Sequence, residues 1–555
     1  MRLANRERGI WEGTRVIDPQ AYNAIGDIIF TNGKVITGEL EKSNATGVAI
    51  RFGKVAAVGS DEDVLAWRGA GVEVVDLKGR TVAPGLNDAH CHPVWVGFAM
   101  TNVNASTPPN QSVADIVRGI QERVQQVPAG QWVMGRGYDQ ARLQDQRHPT
   151  RHDLDPVSPQ HPVIVVRACG HIAAANTLAL QLAGIDRNTP DPEGGTIDRD
   201  EHGEPTGVVR ETAQTLVRDA MPKYTVEQCK AALIAAGNDY LSKGVTSVAE
   251  AGIYDNTLMR AYVELRNEGK LPVRSYLMMM IDEMLDHLID LGITTGFGDE
   301  WLRIGPAKFF LDGSIGGRTA RMSQPYEGEA DNVGLWMDKD TQAVKARFMK
   351  AHKAGFQCCA HAIGDAAITL LLDSYEEALA AQPRADHRHR IEHCSIIDYE
   401  MVQRIQRLGA VPIPGTTFLH DFRNAYVQNL GMERIRYAYG MNTFYEHGIV
   451  AAASTDAPVS GTSATVGLQT MMTRLSEEGE PLWVEEAISL EEAVRAYTWN
   501  GAYASFEENI KGALKPGMVG DAVVFDTDIA AIAPSEVGKV QVDMTVADGR
   551  VVFRR

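Results

Sequence analysis

Cysteine is scarce in this chain, and its arrangement excludes two common structural uses. Six occur in 555 residues, two of them adjacent (Cys358 and Cys359) and none in a C-x-x-C pair. That rules out a disulfide framework and argues against a zinc cluster built on paired thiolates. Long apolar runs are also missing: none approaches the roughly 18 residues that suggest a membrane helix. The N-terminal MRLANRERGIWEG has charges but no apolar core, so it does not read as a secretory signal. A reducing, cytoplasmic location without a membrane partner is the expectation, and the sequons at Asn44, Asn104 and Asn110 then carry no meaning. Positive charge is in deficit. A net charge of −18 offers no basic field to release counterions from nucleic acid. A small neutral or cationic partner is easier to reconcile with it. Internal repeats and low-complexity segments are absent too.

What remains is a large soluble chain with 44% hydrophobic and 23% charged residues. Its length exceeds one compact domain of ordinary size and suits a large barrel with an accessory domain. DIIFTNGKVITG, GVAIRFGKVAAVG and VEVVDLKGRTVAPG near the start alternate β-branched residues with Asn-Gly and Gly-Lys turns, which is hairpin patterning. GMVGDAVVFDTD and VQVDMTVADGRVVFRR near the end have the same texture. Residues 1–82 and 506–555 are therefore expected to form one small β-sandwich from both termini. Between them stand eight candidate strands: TVAPGLNDAHCH, GVTSVAEAG, VRSYLMMMI, IGPAKFFLDGS, FQCCAHAIGD, HRIEHCSII, GAVPIPGTT and GIVAAASTDAPV. Helical patterns such as DAAITLLLDSYEEALAAQ separate most of them. The expected fold is thus α/β, a (β/α)₈ TIM barrel over residues 83–505. The gap after the first strand is far too long for a βα connection. Residues 98–240 are read as an inserted, substrate-shaping subdomain.

Several barrel strands end in metal-type side chains, and strand ends in such a barrel converge on one face. His90 and His92 lie two apart in DAHCH, so strand period two points both to one side, with Cys91 facing away. His361 in CAHAIGD and His393 in RIEHC supply further imidazoles. Asp456 in ASTDAPV can ligate a cation and also take a proton, the alternative being a helix N-cap. The metal set is then His90, His92, Lys308, His361, His393 and Asp456, with one or two Zn²⁺ ions. Lys308, in AKFFLDGS, is costly to bury as an ammonium. Reaction with CO₂ would make it a carbamate bridging two ions; a salt bridge to Asp312 or a substrate contact are the alternatives. Bound Zn²⁺ lowers the pKa of water toward ~7, giving a hydroxide nucleophile. Asp456 would shuttle the proton to the leaving nitrogen. His171, Tyr138, Asp139 and Arg318 are candidate substrate contacts, with packing as the competing role for each.

Together the motifs resemble the amidohydrolase superfamily, in particular the branch similar to N-substituted formamide deformylase. They run through Pro84-Gly85 to His92, Gly135 to Asp139, Gly194 to Gly207, Lys308 to Ala320, His361 to Asp365, Arg390 to His393 and Ser454 to Val459. The resemblance covers the chain from about residue 27 onward. It implies a barrel, a split sandwich, a zinc-type centre and hydrolysis of a non-peptide C–N bond in a small-molecule amide; a homodimer is the expected assembly. Two departures stand out: Asn87-Asp88-Ala89 where many members have Ile-Asp-Ser, and Thr455 between Ser454 and Asp456, to which the sequence attaches no consequence. A deaminase on the same barrel is the main alternative. It would want a glutamate after the fifth-strand histidine, where this chain has Asp365 in His361-Ala362-Ile363-Gly364-Asp365. A non-catalytic binding relative would be expected to lose ligands, and none is lost here.

Overall fold

A computed structural model describes residues 27–167, 170, 172–192 and 194–555, and the chain divides into two compact units. One unit runs to Pro93 and resumes over Leu233–Arg555; the other is Val94–Ala232.

Seven parallel strands form the central sheet of the first unit. They are Leu86–Cys91, Val245–Ile253, Arg274–Met280, Leu302–Phe310, Cys358–Ala362, Arg390–His393 and Val411–Ile413, each paired with the next and numbered here as barrel strands one to seven. Most of their residues are buried, as befits parallel strands covered on both faces. Helices connect several of them, and Tyr399–Leu408 shows why. The Asp398 side chain accepts from the Met401 amide at 2.8 Å, Met401, Val402 and Ile405 supply the buried stripe, and Gly409 ends the helix at φ 71°.

Two expected strands differ from the structure. The first, 81–92, is two strands: Thr81–Pro84 pairs with Ala522–Phe525, while Leu86–Cys91 enters the barrel. Gly85 separates them. A Cβ there would sit 2.3 Å from Thr246 Oγ1, so the chain can pass only without a side chain. The eighth, 448–459, is not a regular strand. Toward strand seven it makes one bridge, Gly415 with Ser454, and donates from Ala452 to Pro412 O and from Ser454 to Pro414 O. Pro412 and Pro414 have no N–H to return, which interrupts the ladder. Toward strand one, Ala89 donates to Ala453 O, Asp456 to His90 O at 2.8 Å and His92 to Ala457 O at 2.8 Å. The seven-stranded sheet is nearly closed, and residues 452–457 span the gap.

Two further sheets belong to this unit. One contains Lys34–Val35, Thr81–Pro84, Ala522–Phe525, Val542–Ala547 and Arg550–Arg554, and so draws on both ends of the chain. The other contains Lys54–Gly59, Gly47–Arg51, Ile28–Thr31 and Glu73–Asp76. Phe30 and Ile50 of the second share one buried cluster with Val82, Val524 and Val546 of the first.

The second unit has a six-stranded sheet in which Val163–Arg167 is an inner strand. Val163 and Val165 join one apolar cluster, Ile164 and Val166 another, so period two loads both faces.

Arg274 ties the barrel to the sheet built from both chain ends. It is 1% exposed, donates to Asp521 at 2.8 and 3.1 Å and to Asp548 at 3.0 Å, and reaches Glu300 O at 3.0 Å. Burial pushes the Asp521 carboxyl up, but Arg274 outweighs it and holds the pKa below the ordinary range. Arg274→Ala should cost about 3–5 kcal/mol in urea unfolding at neutral pH, because Asp521 is left buried and unpaired. Since the folded pKa of Asp521 is depressed, its stabilisation is present above its unfolded value and lost as pH falls. The gap between wild type and variant should therefore narrow below about pH 4.

Candidate metal centre

Barrel strand one and the segment 452–457 build the heart of the site. Asp88 and His90, two apart, are both buried. Asp88 accepts from the Thr455 amide at 3.0 Å and from Thr455 Oγ1 at 2.5 Å, which clamps the two segments together. Burial, opposed by these bonds, pushes its pKa up to about 7. Thr455 thus has a structural task that the sequence did not disclose. Directly after it, Asp456 adopts a left-handed backbone at φ 55°, uncommon for a residue with a side chain and often found at functional positions. Asp456 Oδ1 lies 3.5 Å from His90 Nε2 and 3.3 Å from His92 Nε2. Ligand atoms of the three residues all fall within 4.8 Å of one another. Asp456 is not a helix cap; the next helix starts at Ala464 behind Ser463.

The remaining candidates border this group. The His393 ring is 4.8 Å from His90 and 4.5 Å from His361, centroid to centroid. Strand alternation would turn His393 away from the face shared by Arg390 and Glu392, but its backbone leaves the extended form at φ 66°. His361 Nε2 donates to Gly313 O at 2.8 Å and lies 3.6 Å from Asp312. Burial first, then Lys308, pushes the His361 pKa down to about 3.

Lys308 is fully buried on strand four. Its Nζ has no hydrogen-bond partner among the described residues and lies 4.9 Å from the Phe310 ring centre. Burial lowers its pKa, with Glu392 opposing. The salt bridge to Asp312 is not formed; that carboxylate instead accepts the amides of Ile363, Gly364 and Arg321 at 3.1, 2.8 and 2.9 Å. Two imidazoles and a carboxylate converging beside an unpartnered buried amine is a donor set that fits a divalent cation.

Arg390 and Glu392 complete the centre and are not among the candidates the sequence yields. Glu392 Oε2 meets His90 Nδ1 at 2.5 Å, while Arg390 grips the same carboxylate at 2.7 and 3.0 Å. Two opposite charges at alternate positions of the short segment RIEH were the available signal. Glu250 on strand two is a further addition, 3.8 Å from His92 Nδ1.

Other candidates are engaged elsewhere. Arg318 bonds to Asn429 Oδ1 at 2.9 Å and pairs with Glu329. In the inserted unit, Tyr138 is buried with its hydroxyl 3.0 Å from His148 Nδ1, and Asp139 pairs with Arg167 at 2.7 Å. His171 lies outside the described residues. Asp365 accepts from the Ser323 amide at 2.8 Å and from the Ser323 hydroxyl.

Residues 73–553 match the family model described as Amidohydrolase family. N-substituted formamide deformylase of Arthrobacter pascens is 30% identical, covering 95% of this chain and 98% of its own. Protein LONG AFTER FAR-RED 3 of Arabidopsis thaliana is 31% identical, covering 93% and 90%. Among solved structures, an uncharacterized metal-dependent hydrolase from Pyrococcus furiosus superposes with a TM-score of 0.76 at 28% identity, covering 92% of this chain and all of its own.

The geometry makes a direct prediction for metal binding. Stripped of metal and titrated with Zn²⁺, the wild-type chain should take up the ion tightly. His90→Ala, His92→Ala and Asp456→Ala should each weaken uptake by more than about 100-fold with unchanged circular dichroism, since loss of an outer hydrogen-bond partner alone costs about 10–100-fold. Wild-type affinity in all three would refute the site.

Proposed function

This chain belongs to the amidohydrolase family, and we propose from that premise that it hydrolyses a non-peptide C–N bond, of amide or N-substituted formamide type, in a small molecule. The observation that carries the reading is the convergence of His90, His92 and Asp456 at the C-terminal ends of the barrel segments, where barrel chemistry sits. Zn²⁺ suits these ligands and, when bound, would supply carbonyl polarisation and a more acidic water. Asp456 takes the proton of the attacking water and returns it to the leaving nitrogen, so one carboxylate serves as base and then acid. His90 and His92 hold the ion, and the backbone bond from Asp456 to His90 O keeps base and ligands in register.

Lys308 is read as a carbamate. Its neutral amine adds to the carbon of CO₂ and releases one proton, leaving an anion suited to a second cation beside His361 and His393. The buried amine without a partner supports this reading. The name of the Arthrobacter relative supports the bond class. Deamination is less well served, because the carboxylate of Asp365 is taken by Ser323.

A panel of N-substituted formamides, acyl amides, cyclic imides and ureas, assayed for amine, carboxylate and ammonia, tests the proposal. From the formamides or acyl amides that are turned over, amine and carboxylate should appear together, activity should vanish with a chelator and return with Zn²⁺, and Asp456→Asn should lower kcat by about 10²–10⁴-fold. Release of ammonia with retention of the remaining substrate would identify a deaminase instead.

A further inference from the structure

We propose that Glu392, gripped by Arg390, is a positioning residue that fixes His90 in the tautomer with hydrogen on Nδ1 and so reserves Nε2 for the metal. The inference rests on the metal-site reading above and adds two residues to it. Arg390 Nε donates to Glu392 Oε1 at 2.7 Å and Nη2 to Oε2 at 3.0 Å. Arg390 has only donors, so both oxygens of Glu392 are acceptors in this pair. The 2.5 Å contact between Glu392 Oε2 and His90 Nδ1 therefore takes its hydrogen from the imidazole. A neutral ring that carries its hydrogen on Nδ1 presents a bare lone pair at Nε2. That nitrogen faces Asp456 Oδ1 at 3.5 Å, two acceptors turned toward each other as a shared cation requires.

Arg390 also fixes the strand that carries the ligand. Its Nη2 donates to Ala89 O at 2.6 Å, one residue before His90. Arg390, Glu392 and His90 are 1%, 0% and 2% exposed, so these contacts are shielded from bulk water. A buried ion pair is a poor source of net stability, because desolvation offsets much of its attraction. Its place in the barrel interior is better accounted for by orientation of a ligand, a role in which loss of the partner hydrogen bond weakens metal binding about 10–100-fold.

The test compares Glu392→Gln, close in size but uncharged, with the wild type and with His90→Ala and Asp456→Ala, each as full-length metal-free protein. For Glu392→Gln we expect Zn²⁺ affinity to fall about 10–100-fold and the visible absorption of the Co²⁺-loaded protein to change, while circular dichroism is retained. A second measurement reads the wild type itself and does not depend on Glu392→Gln: ¹⁵N-histidine correlation spectra, with the His90 signal assigned by its absence in His90→Gln. These should show hydrogen on Nδ1 of His90. Hydrogen on Nε2, or a Glu392→Gln protein with wild-type affinity and Co²⁺ spectrum, would overturn the proposal. If His90→Ala and Asp456→Ala also bind Zn²⁺ as the wild type does, the metal site itself is wrong and both readings fall. If those two lose the ion and Glu392→Gln does not, only the positioning role fails.

Discussion

The backbone bond from the Asp456 amide to the His90 carbonyl is the contact on which the centre depends. It lies where the nearly closed sheet would otherwise be open, between the first barrel strand and a segment that is not a regular strand. The return bond from His92 to Ala457 O and the clamp of Asp88 on Thr455 lie on either side of it. Closure therefore creates the site directly: the contacts that span the gap bring two histidines and an aspartate together. Were the barrel open here, the H-x-H pair would face no carboxylate from 452–457.

Closure also buries the interior, and burial governs its charges. Arg390 spends its guanidinium on Glu392 and on Ala89 O, leaving Lys308 without a hydrogen-bond partner among the described residues. These two buried cations, on strands four and six, consequently differ in state. One is fully compensated, whereas the other is pushed by burial toward its neutral amine. Low local dielectric strengthens a satisfied network and penalises an unsatisfied group. The same environment thus favours the Arg390–Glu392 pair and penalises the charged form of Lys308.

The inserted unit obeys a simpler rule. Its inner strand Val163–Arg167 is apolar on both sides because two separate clusters need it, and Tyr138 lies within one of them. Asp139 is held by Arg167, which gives the Gly135 to Asp139 motif an evident packing role.

The sequence by itself determined the segments and their grammar. Apolar runs with β-branched residues marked most barrel strands, and helical patterns such as DAAITLLLDSYEEALAAQ marked segments between them. Period two placed His90 and His92 on one face. Tertiary structure decided what local pattern cannot express. Thr81–Pro84 and Leu86–Cys91 read as one strand, yet they serve different sheets because Gly85 alone can pass Thr246. The last barrel segment read as a strand, yet Pro412 and Pro414 on its neighbour deny it a full ladder. His393 and Asp456 reach the centre through left-handed backbone that no hydrophobic period encodes. Which carboxylate His90 would meet was equally hidden, since Glu392 becomes its partner only when strands one and six share an interior. These features depend on register and desolvation between segments hundreds of residues apart, energies that exist only once the barrel has closed.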